Sequence, residues 1–145
     1  MHEPVLRRRG SVTLLALLQS LGAVLLASAL PQQLPAPKVH SSDYAELERV
    51  PAKARDQPNP MAGNAAAVAA GRKLFEQHCA ECHGQNGQGR KRGPNLRVPE
   101  VQTATPGALF FVLSNGVVRR GMPDWSKLPT PERWQIVSFL KSLRE

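Results

Sequence analysis

At 145 residues the chain has room for one modest domain and excludes a multidomain architecture. Its 41% hydrophobic content is inflated by a single apolar run near the N-terminus, so less apolar material remains for a core than the figure suggests. Nineteen basic against eleven acidic residues give a net charge of +8, which raises nucleic acid as a partner only until the first thirty residues are read.

Arg7, Arg8 and Arg9, an apolar run from Val12 to Leu26, and the small-x-small site Ala27-Ser28-Ala29 predict an export signal over residues 1–29. Val12 to Leu30 is also 19 residues long, enough to cross a bilayer, so the alternative is an uncleaved anchor, a membrane tether through residues 12–30. In both cases Arg7, Arg8 and Arg9 stay cytoplasmic, and the rest lies in the periplasm, soluble or held on the periplasmic face of the inner membrane. No cysteine lies near Ala29, which argues against a lipid anchor. Without residues 1–29 the net charge is +6. An exported basic protein has no nucleic acid to meet; an acidic protein partner or an anionic membrane surface fits better, and a charge kept for solubility is the alternative.

Pro31, Pro35, Pro37, Pro51, Pro58 and Pro60 crowd residues 30–62, which show little apolar periodicity and read as a flexible linker. The folded domain is expected over residues 63–145. Asn64 is placed to cap a helix running through Ala65 to His78 and ending near His83-Gly84. Gln85 to Pro99 holds Gly87, Gly89, Gly93 and Pro94 at spacings that suit neither helix nor strand, so it is a loop that must wrap something. Thr105-Pro106 is an N-cap with proline at the first helical position, opening a short helix that Asn115-Gly116 ends. Thr130-Pro131 repeats the device before a last helix, whose Trp134, Ile136, Val137, Phe139, Leu140 and Leu143 make a broad apolar face. A domain this small buries only roughly 60% of its unfolded surface and needs a staple or a cofactor to complete its core.

Cys79-Ala80-Glu81-Cys82-His83 is the only cysteine-containing segment, and its spacing is that of covalent haem attachment. On one helical turn both thiols reach the two vinyl groups of a porphyrin edge, and His83 lies under the ring as proximal iron ligand. A disulfide between the two cysteines would close only a tiny loop and add little stability. A thioredoxin-like pair needs a strand before the motif, whereas here a helix precedes it. Zinc would need more strong ligands than these residues supply.

Gly71-x-x-x-Phe75-x-x-x-Cys79, the haem motif, Gly93-Pro94-Asn95-Leu96 and Gly121-Met122-Pro123 together resemble the class I c-type cytochromes over Gly71 to Leu143. The resemblance implies a small all-α fold of about four helices wrapped around one covalently bound haem c. It implies that Gly71 lets the last helix cross closely, with Phe139 and Leu140 in the crossing. It implies that the Pro94 carbonyl accepts a hydrogen bond from the axial His83, orienting and strengthening that ligand. It also implies Met122 as sixth iron ligand, 39 residues after His83; Met61, at the linker edge, is the only rival outside the export segment. Trp125 resembles the tryptophan of a Met-Pro-x-Trp pattern placed near the haem propionates, with Arg97 as another donor; a core role for Trp125 is the alternative. His78 reads as a surface residue, and His40 falls in the linker.

A thioether is a soft ligand that favours ferrous iron, and with His83 and Met122 both bound the metal has no open site. The expected function is therefore one-electron transfer in a periplasmic respiratory or dehydrogenase-linked chain, without catalytic residues. Arg90-Lys91-Arg92 and Arg119-Arg120 would flank the haem and steer an acidic docking surface of a dehydrogenase or terminal oxidase towards it; solvated charge clusters are the plainer alternative. A five-coordinate haem c enzyme or gas-binding sensor is the rival function. Against it, gas-binding four-helix cytochromes carry the motif near the C-terminus, whereas 62 residues follow His83 here, and cytochrome peroxidases generally carry two motifs.

Overall fold

A computed structural model describes residues 41–144. The expected export segment, residues 1–29, and residues 30–40 of the expected linker lie outside the described residues. In chain order a 3-10 turn (Ser41–Tyr44) leads into α1 (Ala45–Glu48) and α2 (Ala52–Arg55), then α3 (Ala65–His78) and the single turn α4 (Ala80–His83). After these come α5 (Pro99–Gln102), α6 (Pro106–Asn115), a second 3-10 turn (Val118–Arg120) and α7 (Thr130–Ser142). No strand forms among the described residues, and the fold is the small all-α one expected, carried by α3, α6 and α7 with α5 as a short fourth helix. No helix among the described residues is long and apolar enough to cross a membrane.

Asn64 begins α3 as expected, its Oδ1 accepting from Ala67 N–H at 3.1 Å. The crossing of α3 and α7 is the centre of the fold, and Gly71 permits it: a Cβ built there would lie 1.8 Å from the Gln135 carbonyl oxygen. Phe75 packs on Phe139 with ring centroids 5.2 Å apart and a 55° tilt, within the spacing at which aromatic pairs attract and away from a face-to-face sandwich. Phe75, Ile136 and Val137 are completely enclosed, each contributing about 1.5–3 kcal/mol of hydrophobic burial.

The start of α6 is also as expected, with Thr105 Oγ1 accepting from Ala108 N–H at 3.2 Å and Pro106 in the first turn. That hydroxyl also donates to the Arg55 carbonyl at 2.6 Å, tying α6 to α2. Thr105→Ala is expected to cost about 1–2 kcal/mol, the usual worth of an N-cap plus the tether, seen as a fall of several degrees in the thermal midpoint. The start of α7 differs from the expectation that Thr130 caps it. Pro129, in extended conformation, holds the cap position without a side-chain bond, and Thr130 Oγ1 instead accepts from Arg133 Nη2 at 3.0 Å.

Residues 41–62, expected to be the later part of a flexible linker, are instead folded onto the domain. Tyr44, Leu47 and Val50 recur every three residues and turn one apolar side inward; Tyr44 and Val50 are buried. Buried Asn59 donates to Ser138 Oγ at 2.9 Å and accepts from Met61 N–H at 2.8 Å. The bare Gly107 admits the backbone of this segment, since a Cβ there would sit 2.2 Å from the Ala54 carbonyl oxygen. Pro51, Pro58 and Pro60, which suggested a linker, fix φ and so reduce the entropy lost when the segment docks.

Charge adds to this docking. Asp43 accepts from Arg120 at 2.9 Å, and Glu46 accepts from Arg119 and, at 3.0 Å, from Arg49. The hydrogen bond from Arg119 holds the Glu46 carboxyl below its ordinary value of 4.5. A folded value below the unfolded one means that the stabilisation is complete above the unfolded value and is lost as pH falls through the folded one. Thermal midpoints measured from pH 6 to pH 2 are expected to fall across that window, about 5 downward, and Glu46→Gln to remove part of the slope.

Candidate functional site

The helical direction of α3 breaks at Cys79, whose φ of −120° and ψ of −31° lie off the helix, and α4 restarts as one turn. His83 N–H and Cys82 N–H both donate to the Cys79 carbonyl, at 3.0 and 3.1 Å, so Cys79, Cys82 and His83 are held on a single turn. Gly84 then leaves it with φ of +81°, a conformation that suits glycine. All three side chains line a cavity of about 830 Å³ walled largely by apolar groups, among them Phe75, Leu96, Leu109, Leu113, Ile136 and Leu140. Its volume lies in the upper part of the roughly 300–1,000 Å³ typical of ligand pockets.

The loop after α4 folds back on this turn. Gly89 N–H donates to the His83 carbonyl and Leu96 N–H to the Gly87 carbonyl, both at 2.7 Å. Gly93 must be bare, because a Cβ would lie 2.8 Å from the Cys82 carbonyl oxygen and 3.0 Å from His83 Nδ1. That close approach brings the Pro94 carbonyl to 2.9 Å from His83 Nδ1. A carbonyl only accepts, so the proton sits on Nδ1 and the Nε2 lone pair is free. Burial pushes the His83 pKa below its ordinary range, with the Pro94 bond opposing, which keeps the ring neutral as a metal ligand requires. Burial, with Cys82 adding, pushes the Cys79 thiol up to about 12.

Met122 reaches the same cavity from a different loop. Val117 and Met122 exchange backbone hydrogen bonds of 3.0 and 3.3 Å around the Val118–Arg120 turn, which Gly121 closes with φ of +85°. Met61 packs against the core but is not among the residues lining the cavity, so the two methionines are separated by position. Trp125 lines the cavity too, and its ring packs on His78 at 5.2 Å, next to Cys79. His78 is therefore half-buried rather than a plain surface residue. Arg97 is not among the lining residues.

Arg90, Lys91, Arg92 and Arg120 lie along the cavity, and Arg92 pairs with Glu81 at 2.6 Å. Sequence reasoning missed several lining residues, among them His78, Val101 and Val117, and with them Asp43, Tyr44, Glu46 and Leu47 in the segment expected to be linker. The three-residue recurrence of Tyr44, Leu47 and Val50 was the one signal that this segment turns an apolar side to a core.

A family model described as cytochrome C oxidase, cbb3-type, subunit III matches residues 66–140. The chain belongs to this family of c-type cytochrome domains. It is 34% identical over 87 residues to the quinohemoprotein alcohol dehydrogenase ADH-IIG of Pseudomonas putida, covering 57% of this chain and 12% of that one. It is 33% identical over 90 residues to cytochrome c550 of Pseudomonas aeruginosa, covering 58% and 61%. The chain thus spans less than two thirds of each of these relatives. Among solved structures, cytochrome CL from Methylophaga aminisulfidivorans superposes with a TM-score of 0.53 at 26% identity, covering 60% of this chain and 59% of that one.

A c-type cytochrome domain carries covalently bound haem c with its iron, and such proteins are generally extracytoplasmic. The donor set fits that group: two thiols and a neutral imidazole on one turn, and a thioether, all facing one mostly apolar cavity.

Proposed function

We propose that the protein carries single electrons between redox partners in the bacterial periplasm, with its haem attached through Cys79 and Cys82 and its iron held by His83 Nε2 and Met122 Sδ. The observation that carries this is the convergence of all four side chains on one cavity, with His83 fixed in the right tautomer by Pro94. When bound, the haem supplies a one-electron change at iron. The chain's own residues set its conditions: Pro94 orients His83 and strengthens it as a donor, Met122 favours the ferrous state, and the apolar wall excludes water. Held by both His83 and Met122, the iron would offer oxygen or peroxide no open site, which suits a carrier rather than an enzyme.

Residues 1–29 direct export or remain as an anchor, and the domain that follows meets partners outside the cytoplasm. The similarity to a quinohemoprotein alcohol dehydrogenase supports a dehydrogenase as electron donor. Arg90, Lys91 and Arg92 on the cavity rim suit an acidic docking surface, and Trp125 is a further haem contact. Anaerobic redox titration of the purified holoprotein is expected to give a single reversible one-electron wave with unchanged ligation. An irreversible wave, or catalytic turnover of peroxide, would point to the enzyme reading instead.

A further inference from the structure

The loop whose Pro94 carbonyl holds His83 and the loop that carries Met122 both border the cavity, and the segment Ser41–Glu48 touches both. Tyr44 is buried, and its Oη donates to the Asn95 carbonyl at 2.7 Å, one residue beyond the Pro94 that holds His83. Asp43 binds Arg120 at 2.9 Å and Glu46 binds Arg119, and both arginines belong to the turn between Val117 and Met122. Among the described residues, the turn's other backbone ties are local, Arg120 N–H donating to the Val117 carbonyl at 2.8 Å and Gly121 N–H to the Val118 carbonyl at 2.9 Å. Its backbone is closed by the Val117–Met122 pair, Val118 is 70% exposed, and a Cβ at Gly121 would meet nothing within 4 Å.

We propose that Asp43 and Glu46 are positioning residues for the sixth ligand: through Arg120 and Arg119 they hold the Val117–Met122 loop against the cavity and limit how often Met122 leaves the iron. This rests on Met122 being the iron ligand. Arg119 and Glu46 have side chains 62% and 27% exposed, Arg120 and Asp43 39% each, so each pair is a modest, salt-sensitive contact. Together the two pairs are expected to shift the loop equilibrium by about 2- to 10-fold. Most of that shift is expected to vanish near 1 M salt, where screening acts within about 3 Å.

The test is imidazole binding to the ferric holoprotein at pH 8, where neutral imidazole must displace the methionine. Asp43→Asn/Glu46→Gln is expected to bind imidazole about 2- to 10-fold more tightly than wild type at low salt and to lose most of the salt dependence. Asp43→Arg alone is expected to loosen the loop likewise, and Asp43→Arg/Arg120→Asp to restore tight closure, which a merely structural role for either residue would not do. Wild-type affinity and salt dependence in the double neutral variant would overturn the proposal. Absence of the near-infrared methionine band in the wild type would overturn the ligand assignment beneath it, a separate and distinguishable failure.

Discussion

Replacing Gly71 with alanine is expected to prevent accumulation of folded holoprotein at 37 °C, or to lower its thermal midpoint by more than about 12 °C. Two effects of opposite sign meet at this position. Alanine improves helix propensity by about 1 kcal/mol over glycine, which favours the variant. Against that, the new Cβ would lie 1.8 Å from the Gln135 carbonyl oxygen and 2.4 Å from its carbon, both backbone atoms of α7 that no side-chain rotation can move away. The helices must separate, and the Phe75–Phe139 contact and the burial of Ile136 open with them. Overpacking of this kind costs about 3 kcal/mol or more, a large part of the roughly 5–15 kcal/mol that holds a small domain together. The steric term wins. Gly63→Ala is the control: φ is +76° there, but nothing lies within 4 Å of a new Cβ, so only backbone strain of about 1 kcal/mol is expected. Equal midpoints for the two variants would refute the close-crossing account.

Met122→Ala is expected to give a ferrous protein that binds carbon monoxide readily and a reduction potential lower on the order of hundreds of millivolts. Axial ligation spans roughly 0.8 V across haem proteins, and loss of a thioether removes the ligand that favours ferrous iron. Met122→Leu restores apolar bulk without a donor sulfur and is expected to behave the same way, which separates ligation from packing. Met61→Ala leaves ligation unchanged, since Met61 packs on the core away from the cavity lining. Visible absorption with carbon monoxide, together with potentiometry, checks all three; carbon monoxide binding in Met61→Ala but not in Met122→Ala would exchange the two assignments.

What the sequence made legible was local. Cys79, Cys82 and His83 share one turn, so their spacing alone carries the geometry, and the caps at Asn64 and Thr105 are set by the residues beside them. The Gly71 crossing and the Pro94–His83 bond are long-range, but the family pattern supplies them, and the structure has both. The docking of residues 41–62 left only the recurrence of Tyr44, Leu47 and Val50 as a trace, and where the segment docks was not legible. It depends on Asn59 meeting Ser138, on Gly107 making room for Ala54, and on Asp43 and Glu46 meeting arginines more than seventy positions away. None of those partners has a local signature, and the prolines of the segment pointed towards a linker. Trp125 was legible as a cavity residue but not as the partner of His78, because a ring contact between α3 and the loop before α7 leaves no trace in spacing.

The most direct test of the central claim is the absorption spectrum of the purified wild-type holoprotein in both oxidation states, with carbon monoxide added to the reduced form. An electron carrier ligated by His83 and Met122 shows the weak near-infrared methionine-to-iron band when ferric and leaves carbon monoxide unbound when ferrous. A missing band together with ready carbon monoxide binding would contradict it, showing an open iron site and a catalytic or sensing haem.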